Sequence, residues 1–87
     1  MRTDVKEKIK VVAAFDPDSW KLEPRRFIWH RRTFEVTKVD FFHRTRDGRH
    51  LIDIYDCSTD SNPSFRLKYL TFSREWILWR TDDGMST

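Results

Sequence analysis

The segment Phe27 to Val39, FIWHRRTFEVTKV, constrains this chain more than any other. Large apolar residues recur at every second position on both sides of a short basic joint. Side chains of a strand alternate between its two faces, so the pattern predicts a β-hairpin. With Arg31-Arg32 as a two-residue loop, Trp29 lies opposite Phe34 and Phe27 opposite Val36, all on one face. Ile28, His30 and Glu35 fall on the other face. Cross-strand aromatic and β-branched pairs stabilise by roughly 0.2–1 kcal/mol each. A one-residue slip would split them between faces, which specifies the register. Tight hairpin loops need positive φ and favour Gly or Asn. Arg31-Arg32 supplies neither, so the loop is expected to be strained or longer.

The same parity argument organises the rest. Residues 1–7 read as a polar, flexible lead-in. Lys8 to Phe15 reads as a first strand, with Ile9, Val11, Ala13 and Phe15 on one face and the half-apolar set Lys8, Lys10, Val12 and Ala14 on the other. A helix over Val5 to Ala14 is the rival, because Ala favours helix. The Val-Val pair and the Asp16-Pro17-Asp18 turn favour strand. Trp20, in the connector, is placed to lid an open end of the core, and Pro24 leads into a strand over about 25–30. The third strand runs from Thr33 to about Arg46. Its apolar phase changes between Val36 and Val39, which predicts a bulge near Thr37–Lys38.

Asp47-Gly48 carries the turn chemistry of a tight hairpin. Counting outward pairs Phe41 with Ile54 and His43 with Ile52. Val39, Phe41, Ile52 and Ile54 then share the core face, and Phe42, Arg44, Leu51, Asp53 and Tyr55 the outer one. Ser58 to Pro63 reads as a loop. Two further strands, about 64–69 and 75–80, pair Tyr69 with Trp76 and Leu67 with Leu78, and residues 81–87 form a polar tail. Six strands joined by short turns make an antiparallel meander. An aromatic-rich face cannot stay wet, and no good helix is present to cover it, so the sheet must curl on itself. The expected fold is all-β: one small, strongly bent meander closed into an SH3-like barrel over residues 8–80.

Eighty-seven residues suit one domain with a modest core. Seven Phe, four Trp and two Tyr supply large buried areas from few positions. The single cysteine, Cys57, leaves no disulfide framework and no Cys-based zinc site within the chain. The N-terminal stretch lacks an apolar signal core, and no apolar run reaches membrane-spanning length. These features point to a cytoplasmic protein with no membrane partner.

Pro24, Phe27, Trp29, Arg32, Phe34, Val36 and Val39, with Phe65-x-Leu67 and Trp76-x-Leu78, resemble a family of small uncharacterised bacterial β-domains. The family pattern is P-x-x-F-x-W-x-G-R-x-Y-x-V followed by Y-x-L and W-x-L. The resemblance covers about residues 24–80 and departs at Arg31, where the family carries Gly. It implies a β-fold and carries no established activity.

Charge supplies the functional expectations. Arg25 to His50 holds eight Lys/Arg against three acids, while the whole chain is only +3. A basic segment in a near-neutral protein suggests an anionic partner; solubilising charge on an aromatic sheet is the plainer explanation. One reading is a non-catalytic interaction or oligomerisation module, with Trp79, Ile77, Phe42 and Tyr55 as an outer apolar patch and a protein partner or a second copy docked on it. The alternative is a nucleic-acid-binding module. It would use Arg25, Arg26, Arg31, Arg32, Arg44, Arg46 and Arg49 for phosphates and Phe42 and Tyr55 for stacking. A ribonuclease-like hydrolase with Glu35 as base and His30 as acid is a third reading, without a motif to fix its geometry. His30, His43 and His50 lack metal-ligand spacing. No metal, cofactor or catalytic residue is therefore assigned.

Overall fold

The computed structural model describes residues 2–60 and 64–82. It holds six strands: β1 (Arg2–Asp16), β2 (Lys21–Trp29), β3 (Arg32–Asp47), β4 (His50–Thr59), β5 (Ser64–Leu70) and β6 (Glu75–Asp82). Each pairs antiparallel with the next, and β1 pairs with β6 to close the barrel. The expected six-strand meander barrel is the fold. The Val5–Ala14 segment is strand, not helix. β1 is longer than predicted: residues of the supposed flexible lead-in pair with β6, Arg2 opposite Asp82 and Asp4 opposite Arg80. The register shifts before Glu7, where Lys6 takes a φ of 57°. β6 likewise extends to Asp82. The rest of the supposed tail, and 61–63 of the predicted loop, lie outside the described residues.

The turns correct two registers without exchanging faces. The β2–β3 loop is His30-Arg31, not Arg31-Arg32: Trp29 faces Arg32 and Phe27 faces Phe34. Both loop residues have positive φ, 52° and 61°, as a type I′ turn requires. The left-handed region costs a non-Gly residue roughly 1–2 kcal/mol, though His tolerates it better than most. At the β3–β4 hairpin, Asp47 faces His50, so Gly48-Arg49 is the central pair. Positive φ there falls on Gly48 alone, at 62°, the type II′ arrangement. At the β1–β2 turn the Asp16 carboxylate accepts from the Asp18 N–H and the Ser19 hydroxyl, each at 3.0 Å. Those bonds, the Asp18 N–H first, hold its pKa below the ordinary value. Trp20 is not a lid. It has a φ of 57°, is 78% exposed, and meets Phe15 edge-on at 5.8 Å.

The interior is an aromatic cluster. Phe27 stacks on Phe34 at 5.2 Å, and Phe65 meets both edge-on at 5.1 Å. Leu67, Leu78, Trp76 and Ile9 complete it. The main correction concerns β3 and β4. The bulge expected near Thr37–Lys38 is present, between Val36 and Lys38, but a second one follows between Val39 and Phe41. Two phase changes restore the original parity. Val39 therefore packs against the core, Phe42 follows it inward, and Phe41 is turned outward, 54% exposed. Across the hairpin, Tyr55 and Cys57 are buried, whereas Ile52 and Ile54 lie on the half-buried outer side. Tyr55 sits 5.0 Å from Phe42 and 5.5 Å from Trp76, and its hydroxyl donates to the Leu22 carbonyl. That bond lets a phenol occupy the core in place of an aliphatic. The buried Asp53 carboxylate is held by a two-pronged bond from Arg44, at 2.6 and 3.0 Å.

Candidate docking groove on the outer face of β1 and β2

Alternation sends Lys8, Lys10 and Val12 of β1 and Arg26 and Ile28 of β2 outward, because Ile9, Val11 and Phe27 point in. The register sets Lys10 opposite Ile28 and Val12 opposite Arg26. Cations and apolar side chains thus alternate diagonally across two strands. Val12 is 59% exposed and Ile28 47%. Two adjoining depressions of about 400 and about 470 Å³ share Lys10 and Ile28, forming one groove. Arg31, from the strained β2–β3 turn, lines its far end.

The groove lining holds four cations, Lys8, Lys10, Arg26 and Arg31, and no acid. Two are engaged from outside the lining. Lys8 Nζ lies 2.6 Å from Glu75, and this bond holds the Glu75 pKa below its usual value. Arg26 Nε lies 3.3 Å from Glu35. Lys10 and Arg31 form no ion pair among the described residues. A wall of exposed aliphatic carbon flanked by unpaired cations can hold an apolar side chain and carboxylate or phosphate oxygens together.

The residues predicted for nucleic acid do not converge. Arg25, Arg26, Arg31 and Arg32 are exposed around the β2–β3 hairpin, with Arg25 3.9 Å from Glu23 and Arg32 over the Phe34 ring at 5.0 Å. Arg44, Arg46 and Arg49 lie at the other end of β3, a strand of 16 residues, and Arg44 is committed to Asp53. Of the two predicted stacking rings, one is buried and the other half-buried. Tyr55 is 0% exposed, and Phe42 packs against the core with Lys21 Nζ 4.0 Å over its ring. The expected outer apolar patch loses both. Its remaining members, Ile77 and Trp79, are half-buried, and Trp79 is roofed by Lys68 at 3.4 Å and Lys6 at 5.1 Å.

The acid–base pair also separates. His30 Nε2 lies 3.9 Å from Glu7 and its ring stacks on Trp29 at 4.1 Å, whereas Glu35 is taken by Arg26. Among the described residues, no three His, Cys, Asp or Glu side chains converge as metal ligands, and no helix is long and apolar enough to cross a membrane.

Lys8, Lys10, Val12 and Ile28 were absent from the sequence-derived site. Their signal was present: the second face of β1 is half apolar and half Lys, and Val12 on it is open. No protein-family model, curated protein or solved structure matches the chain.

Proposed function

We propose that this chain is a non-catalytic interaction module that docks a protein partner on the outer face of β1 and β2. One observation carries the reading: exposed Val12 and Ile28 share a groove with unpaired Lys10 and Arg31, and no acid lines it. Exposed apolar area of this kind marks contact surfaces. The backbone at Arg31 supports the same conclusion. The type I′ turn holds Arg31 in the left-handed region and sets its cation at the groove's end. A symmetric dimer through this face would bring the unpaired Lys10 and Arg31 toward their copies, which favours a different chain as the partner. The single buried Cys57 fits a reducing, cytoplasmic setting.

Nucleic acid is the second reading, favoured by the exposed Arg25, Arg26, Arg31 and Arg32. Phosphate contacts need only such cations. The burial of Tyr55 and the inward packing of Phe42 leave it without the rings assigned to base stacking.

The test is site-specific photo-crosslinking in cells that express the protein natively. A photoreactive phenylalanine at position 28 is expected to give one discrete protein adduct, lost when Lys10→Glu is added. The same probe at position 41, exposed on β3, is expected to give none. Equal adducts at both positions, or none at 28, would refute the reading.

A further inference from the structure

We infer that the groove's occupant is an extended acidic segment of the partner, carrying one apolar side chain between two carboxylates. This deepens the proposed docking reading and rests on it. Same-face side chains of an extended chain are about 7 Å apart, and the groove is built on that spacing. Lys8, Lys10 and Val12 step along β1 by two residues, as Arg26 and Ile28 do along β2. An acid–x–apolar–x–acid segment laid over it sets the apolar group on Ile28. Lys10 stands beside Ile28 across the strands and Arg31 three residues beyond it along the chain, so these two long cationic side chains are the ones set to reach carboxylates flanking the apolar group. Charge fixes the sign of the ligand: no acid is in the lining, and two of its four cations, Lys10 and Arg31, have no ion pair among the described residues.

Carbon type separates peptide from nucleic acid. The exposed apolar groups in the groove are the aliphatic Val12 and Ile28, and its one ring, Phe27, is fully buried. Sequence-tolerant binding of single strands relies on exposed rings for stacking. Aliphatic walls suit a Leu- or Ile-like side chain. The guanidinium of Arg31 presents a planar fork that a carboxylate engages with two bonds.

The experiment is an amide-resolved NMR titration of the full chain with a short blocked peptide reading Asp-Thr-Leu-Thr-Asp. Three comparison ligands accompany it: the same peptide with Ser for Leu, the same with Lys for both Asp, and a short oligothymidylate. The expected result is saturable shifts at Lys10, Val12, Ile28 and Arg31. Affinity should fall at least about tenfold with Ser in the peptide, or with Lys10→Glu in the protein, a change of about 1.4 kcal/mol. The Lys-substituted peptide should leave these amides unmoved.

Equal binding of the Ser or Lys peptide would overturn the inference. So would oligothymidylate moving these amides while the acidic peptide does not, which would assign the groove to nucleic acid. If no peptide binds but the position-28 adduct forms, the docking reading stands and this identity of the occupant falls. Failure of both removes the groove as a site.

Discussion

Phe65→Ala is expected to remove about 3–5 kcal/mol, the cost of emptying a large aromatic site in a packed core. Small domains are stable by only about 5–15 kcal/mol, so much of the fold's margin goes with one ring. Phe65 is 0% exposed and touches three rings: Phe27 and Phe34 at 5.1 Å and Trp29 at 6.3 Å. The cavity is walled by rings from β2 and β3 and cannot close without moving both strands. At about 4–8 °C per kcal/mol for a domain this size, the melting temperature should fall by at least about 12 °C. Phe41→Ala is the matched control. That ring is half exposed beyond the second bulge, and its loss should stay within about 1 kcal/mol. If the two variants lose similar stability, the assignment of faces on β3 is wrong.

Stability is also expected to fall steeply in alkali. Burial, and then the nearby Asp40 and Asp56 carboxylates, push the Cys57 thiol from 9.0 up to about 12. Between those values the unfolded chain gives up this proton and the folded chain keeps it. Stability is therefore full below about pH 9 and is lost as pH rises, at about 1.4 kcal/mol per unit. The Tyr55 phenol, raised chiefly by burial and then by Asp53, adds the same sign above pH 10.0. Lys68 opposes them. Burial first, then Arg66, Lys6 and Arg80, depress its pKa below 10.5, so its cost at neutral pH is relieved as pH rises. Denaturant unfolding at several pH values should show the decline, and Cys57→Ala should remove most of the slope between about pH 9 and pH 10. An unchanged slope in that variant would place the thiol in solvent.

The pairing of residues was legible because parity survives small errors. Placing the β2–β3 loop one residue late moved every partner by two, and a shift of two keeps each side chain on its face. Phe27, Trp29 and Phe34 were therefore read correctly although their partners were not. In β5–β6 the partners themselves were right from Tyr69–Trp76 to Leu67–Leu78. In β3–β4 the sets held from Phe41 onward with the core side inverted, but Val39 was grouped with Phe41 when it packs inward with Phe42. Phe41-Phe42 places a ring on each face, so no apolar count reveals the second bulge. Ile52 and Ile54 also look better buried than Tyr55 or Asp53. What reverses that order is tertiary: the Leu22 carbonyl waiting for the Tyr55 hydroxyl, and Arg44 holding Asp53. The groove was partly legible for the same reason. The outer residues of β1 were visible as a set, but their register against Arg26 and Ile28 depends on the shift between Val12 and Ala13, and Pro24 lies opposite Ala13 at that shift.

The most direct measurement takes Arg31→Gly, with stability and docking read on the same protein. Gly relieves a left-handed residue of roughly 1–2 kcal/mol of strain and returns part of that as unfolded-chain entropy. The variant should therefore gain about 0.5–1 kcal/mol in denaturant unfolding while its position-28 adduct falls sharply. A variant that is more stable and still forms the full adduct would show that the cation at the strained turn takes no part in docking, and would contradict the account.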